Sequence, residues 1–152
     1  IQVTSRQNQL LCQPEEILCH CRFHDRQDDF AIAPGQLSNA YLSEAEICRI
    51  HQQFTSDPAP TDVLTFPPDP AMDHAGEICL CVDVAMNRVG TAVRPFSFEL
   101  TLYLLHGWLH LSGLDDRDPL SKKEMRTAES DLLERVSKAD LLPIFEWIST
   151  QA

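Results

Sequence analysis

An α+β fold, with a small mixed β-sheet packed with helices, is what this sequence predicts, and three observations predict it. Short β-branched and aromatic runs are concentrated in the first half of the chain. The second half is a succession of helical patterns. A Ser43-Glu44-Ala45-Glu46 capping box marks a helix between two of the strand-like runs. At 152 residues, with 43 % apolar and 23 % charged side chains, the chain can bury a core without staples, and it is read as one domain over 1–152.

The elements follow in order. Ile1 to Thr4 reads as a short strand, and Pro14 to Cys21 as a helix with proline suited to its first position. The polar stretch His24 to Asp29 leads to an Ala33-Pro34-Gly35 turn, and Gln36 to Leu42 is a strand. In the capping box Ser43 and Glu46 satisfy each other's free amides, so a helix runs from there to about Phe54. Ser56-Asp57-Pro58-Ala59-Pro60 ends it, because proline lacks an amide hydrogen and displaces its predecessor from helical geometry. Thr61 to Phe66 has the content of a buried strand, and the proline-rich loop from Pro67 to Gly76 is expected to be mobile. Glu77 to Val82 is a further strand, after which Asp83 is expected to cap a helix reaching Gly90. Phe96 to Leu111 is the most apolar helix and is expected to be central; Ser121 to Val136 is amphipathic, with Met125, Ala128, Leu132 and Val136 on its apolar stripe.

Composition excludes several classes of function. No apolar run approaches the ~20 residues a membrane helix needs, and no basic-then-apolar leader is visible, so the cytoplasm is the expected location. The net charge of −11 argues against broad, salt-driven nucleic-acid binding, so any such contact must be local or helped by a metal or a partner. Six cysteines include Cys19-x-Cys21 and Cys79-x-Cys81 but no CxxC knuckle, and they are expected to be reduced, buried or half-buried thiols.

The chemistry concentrates in His106-Gly107-Trp108-Leu109-His110-Leu111-Ser112-Gly113-Leu114-Asp115-Asp116. On a helix His106 and His110 share a face one turn apart, close enough to clamp one ion, in the manner of a zincin-like metal-site helix. Gly113 is placed to end the helix, and the turn would carry Asp115 and Asp116 back toward the pair, where either could be a third ligand with a fourth position left for water. The competing reading makes both histidines ordinary core or surface residues. A metalloprotease of the HExxH type is disfavoured, because Gly107 holds the place of its glutamate base.

This segment resembles the H-G-x-L-H-L-x-G-x-D-H signature of the YbeY family, metal-dependent endoribonucleases of bacterial rRNA maturation. Every fixed position agrees except the last, where Asp116 replaces a histidine. Pro60-Thr61-Asp62-Val63-Leu64-Thr65-Phe66-Pro67 resembles the family's P-T-D-V-L-S-F-P, Gly76-Glu77-Ile78 its G-D-I, and Met125 with Glu129 its M-x-x-x-E pattern. The resemblance implies three metal ligands, His106, His110 and Asp116, holding one zinc ion or another divalent metal. It implies small-subunit rRNA and the ribosome as partners, and Asp115 is expected to orient a ligand or the turn, as carboxylates behind metal ligands commonly do. A carboxylate in the third position is chemically tolerable, although its added negative charge weakens the metal's pull on a phosphate. The family also carries an arginine in a Y-R-x-x-x-x-P-T context, where this chain has Thr55 after Phe54; Arg88, Arg94 and Arg117 are the candidates to replace its charge. Thr61 and Asp62 are expected to brace the strand beside the site, and Trp108 to pack in the core. The expected function is therefore a metal-dependent endoribonuclease of small-subunit rRNA 3′-end maturation and ribosome quality control. The alternative is a ribosome-assembly binding protein that has lost catalysis with the arginine.

Overall fold

The computed structural model describes residues 1–149. Its elements are β1 (Gln2–Ser5), β2 (Leu10–Cys12), α1 (Pro14–Asp25), β3 (Gln36–Leu42), α2 (Glu44–Thr55), β4 (Val63–Phe66), β5 (His74–Cys81), α3 (Val82–Val89), α4 (Val93–Leu111), α5 (Pro119–Lys138) and β6 (Phe145–Trp147). The sheet order is β1-β3-β5-β4, with β1, β3 and β5 parallel and β4 antiparallel to β5. The α+β architecture is as the sequence predicts.

The central strand β5 is buried on both faces, which accounts for its nearly continuous apolar run. Alternation sends Ile78 and Leu80 toward Phe96, Leu100, Leu104 and Trp108 of α4. Cys79 and Cys81 go to the other face, with Ala40, Leu42 and Ile47. A third cluster joins Leu105 and Leu109 of α4 to Met125, Ala128 and Leu132 of α5. With helices and strands packed around it, α4 is the central helix expected, and each large side chain it buries stabilises the fold by roughly 1.5–3 kcal/mol. Trp108 is a core residue whose Nε1 donates to the Phe30 carbonyl at 2.8 Å.

The capping box at α2 forms as read, with Ser43 Oγ accepting from the Glu46 amide and Glu46 accepting from the Ser43 amide. Two expectations change. Asp83 does not cap α3, because β5 runs straight into that helix with Cys81 at the cap position; its Oδ2 instead accepts from the Glu44 amide at 2.7 Å, at the start of α2. The proline-rich loop is a built reverse turn. Asp69 and His74 exchange backbone hydrogen bonds of 2.8 and 3.0 Å, and Asp69 Oδ1 caps the turn through the Ala71 amide. The antiparallel pair β2–β6, which ties residues near the start of the chain to Phe145–Trp147, was not read from the sequence.

All six cysteines are free. Cys19 is exposed while Cys21 is buried, since residues two apart lie on different sides of a helix. Burial is the main reason the thiols of Cys21 and Cys79 are pushed up to about 12 and that of Cys81 to about 11, so these cysteines behave as small apolar groups.

Candidate metal centre

α4 delivers His106 and His110 one turn apart, and Gly107 between them is required by packing. A Cβ at that position would lie 2.5 Å from Ile78 Cγ2 and 3.3 Å from the Val63 and Thr65 methyl carbons, so only glycine lets α4 rest directly on β4 and β5. The same contact excludes the glutamate of an HExxH site. At the end of α4 Gly113 adopts φ 108°, and the Leu114 amide donates back to Leu109 O at 3.0 Å. The chain then doubles back and brings Asp116 over the histidines. Asp115 braces this turn, its Oδ1 accepting from the Asp116 amide and its Oδ2 from Arg117 Nε, both at 2.8 Å. An Asp118–Ser121 capping box then starts α5.

Hydrogen bonding fixes how both rings face. Glu129 Oε1, from α5, accepts from His106 Nδ1 at 2.5 Å, and the Leu114 carbonyl accepts from His110 Nδ1 at 3.1 Å. With the protons on Nδ1, both Nε2 lone pairs point inward, 3.0 Å apart. Asp116 completes the group, with Oδ2 3.5 Å from His106 Nε2 and Oδ1 3.7 Å from His110 Nε2. Ligand atoms of all three residues lie within 4.8 Å of one another. Three acceptors that converge without a donor call for a cation or a proton, and this donor set fits a divalent metal. Burial alone would lower the His106 pKa, but the hydrogen bond and charge of Glu129, with the charges of Asp116 and Asp62, hold it above its ordinary value.

His106 and Asp116 open into a cavity of about 320 Å³, whose walls include Asp62, Arg88, Tyr103, Lys122, Arg126 and Glu129. Arg88 Nη1 lies 3.1 Å from Glu99 Oε1 and 3.9 Å from Asp62 Oδ2, with the guanidinium 5.7 Å from the Tyr103 ring centre. Asp62 also braces its strand, its Oδ1 accepting from the Val63 amide and its carbonyl from the Cys81 amide; Thr61 Oγ1 donates to Val63 O.

The structure separates the three arginine candidates. Arg88 lines the cavity, Arg117 is turned to Asp115, and Arg94 lines a separate apolar groove with Phe98, Leu142 and Ile144. Thr55 is absent from the cavity walls, and its hydroxyl donates to His51 O at 2.7 Å. Sequence reasoning missed Lys122 and Arg126 altogether, and it placed Glu129 only through a family pattern. A signal for Glu129 was present, since it is a carboxylate beside the buried stripe of α5, where a charge needs a partner.

A family model described as Endoribonuclease YbeY matches residues 6–137. The chain is 33 % identical over 132 residues to an Endoribonuclease YbeY of Rhodococcus jostii, covering 79 % of this chain and 73 % of that relative. It is 31 % identical over 148 residues to the Endoribonuclease YbeY of Mycolicibacterium gilvum, covering 90 % and 76 %. A solution structure from Thermotoga maritima shares the fold, with a TM-score of 0.52, 20 % identity and coverage of 92 % of this chain and 93 % of that one. With its signature helix, its glycine turn and most of its length matched, the chain belongs to the YbeY endoribonuclease family.

Proposed function

We propose that this protein is a metal-dependent endoribonuclease of the cytoplasm, with small-subunit ribosomal RNA as substrate and the ribosome as partner. The observation that carries the reading is the convergence of His106, His110 and Asp116 at a cavity walled by Arg88, Lys122 and Arg126. His106, His110 and Asp116 would hold zinc or a similar divalent ion, which when bound supplies Lewis acidity to a phosphoryl oxygen and to water.

The remaining work falls to the chain itself. Glu129 and the Leu114 carbonyl keep the two imidazoles in the tautomer that binds a cation, and they hold the rings in place. Arg88 uses Nη1 on Glu99, which leaves its other N–H donors for a phosphate oxygen. Arg88 is the arginine placed to offer from α3 the positive charge that Thr55 lacks, and its place on the cavity wall favours an enzyme over a binding-only protein. Tyr103, whose phenol is held above its ordinary pKa by burial and by Glu99, presents a neutral wall. The donor set supports a bound divalent metal, and membership of an endoribonuclease family supports RNA as the substrate.

The test is cleavage of a small-subunit rRNA 3′-end precursor by the purified chain with added zinc, beside an unrelated RNA of equal length. The expected result is cleavage favouring the precursor, lost in His110→Ala and on chelation, and reduced in Arg88→Ala. Intact RNA with every divalent metal tried would overturn the reading.

A further inference from the structure

The first half of α5 is cationic in a chain of net charge −11. Lys122, Lys123 and Arg126 are exposed there. Among the described residues none of the three enters an ion pair, whereas Arg88, Arg117, Arg135 and Lys138 each do. Lys122 and Arg126 form a shared wall. On one side they line the metal-centre cavity, and on the other an open groove of about 600 Å³ bounded by Pro119, Lys123, Thr127 and Ser130. The walls of that outer groove contain no carboxylate and no aromatic ring.

We propose that this groove is a track for the sugar-phosphate backbone of single-stranded RNA leading out of the metal-centre cavity, an inference that rests on the nuclease reading for what occupies the cavity. Charge complementarity and continuity with the cavity carry it. Lys122 and Arg126 are one helical turn apart, about 6 Å along the axis, a separation comparable with that of successive phosphates in an extended strand. A cavity of about 320 Å³ admits one backbone and not a duplex. With no aromatic platform, bases have nothing to stack on, so the track reads phosphate and is indifferent to sequence. This is the local contact that a strongly acidic protein requires: the overall charge repels RNA, and the groove beside the site attracts it.

The test measures affinity of the full chain for a short mixed-sequence RNA oligonucleotide over a range of salt concentrations. It compares wild type, Lys123→Ala and the triple variant Lys122→Ala, Lys123→Ala, Arg126→Ala, with Arg49→Ala on α2 as the control and circular dichroism to confirm folding. Lys123→Ala is expected to weaken binding several-fold for every RNA sequence and to flatten the slope of log affinity against log salt by about 0.7, and the triple variant by about 2. In cleavage assays Lys123→Ala is expected to raise KM with kcat held, and to leave a dinucleotide substrate unaffected. Affinity and slope unchanged in both folded variants, in a chain that still cleaves RNA, overturns the track and leaves the nuclease reading standing. Loss of binding to polyglutamate with RNA affinity unchanged also overturns it, in favour of an acidic protein partner. RNA binding with the expected slopes but without cleavage supports the track and counts against the nuclease reading alone.

Discussion

The chain carries two histidine pairs of identical spacing, His106 with His110 on α4 and His20 with His24 on α1, and local geometry hardly separates them. The ring centres are 4.6 and 4.3 Å apart, the rings cross at 83° and 87°, and the facing Nε2 atoms are 3.0 and 2.9 Å apart. What differs is what surrounds them. In the α4 pair both Nδ1 protons are drawn outward, by Glu129 and by Leu114 O, so two bare Nε2 atoms meet Asp116. In the α1 pair His20 donates from Nδ1 to Leu141 O at 3.1 Å and accepts on Nε2 from His24 Nε2, while His24 Nδ1 is buried without a partner. One pair therefore shares a proton inside the core and has no carboxylate among its partners. The other offers lone pairs to a cation. Spacing makes a pair, and the second layer of partners decides its chemistry.

The largest effect should separate the pairs outright. His110→Ala is expected to abolish metal retention and RNA cleavage, whereas His24→Leu, whose ring packs on Trp108, is expected to preserve both; elemental analysis and a cleavage assay read the outcome. Next in size is acid sensitivity. Burial pushes the His20 pKa down to about 4 and the His24 pKa to about 2, where each would be near 6.5 in the unfolded chain. Below pH 6.5 the unfolded state binds more protons, so stability is full above that pH. It should fall as pH drops toward 4, by up to about 1.4 kcal/mol per pH unit for each histidine. Denaturant melts across this range should show the slope, and the double variant His20→Leu, His24→Leu should flatten it.

Two smaller effects sharpen the contrast at the α4 pair. Glu129→Gln, which removes the carboxylate behind His106, should weaken metal affinity by roughly 10- to 100-fold while the fold persists, as measured by competition with a chromophoric chelator. Gly107→Ala drives a methyl into Ile78 and should lower stability by about 1–3 kcal/mol in thermal or denaturant unfolding.

What could be read from the sequence was what is local. The Ser43 cap, the α4 helix and its glycine end, and the return of Asp116 all follow from residues within a few positions of one another. Local spacing brought out the histidine pair and the two aspartates of the turn, and the choice of Asp116 over Asp115 came from the family resemblance. Contacts between distant segments were not. Glu129 reaches His106 across 23 positions, Arg88 meets Glu99 from another helix, and the three-residue strands β2 and β6 pair across almost the whole chain. Each of those segments is too short or too polar to advertise a partner. His20 and His24 show the converse, since the same spacing that drew notice on α4 passed unremarked on α1, where only tertiary burial gives it meaning. Asp83 was read as the cap of the helix that follows it and is not; its carboxylate instead accepts from the Glu44 amide, 39 positions earlier, behind the Ser43 cap of α2.

The most direct test of the central claim is the metal content of the chain purified under metal-replete conditions, measured in wild type, Asp116→Ala, Asp116→His and His24→Leu. About one divalent ion per chain, lost in Asp116→Ala but retained in Asp116→His and His24→Leu, is the predicted result. A folded wild-type chain without metal, or full retention in Asp116→Ala, would contradict it and return the α4 histidines to the same structural role as the pair on α1.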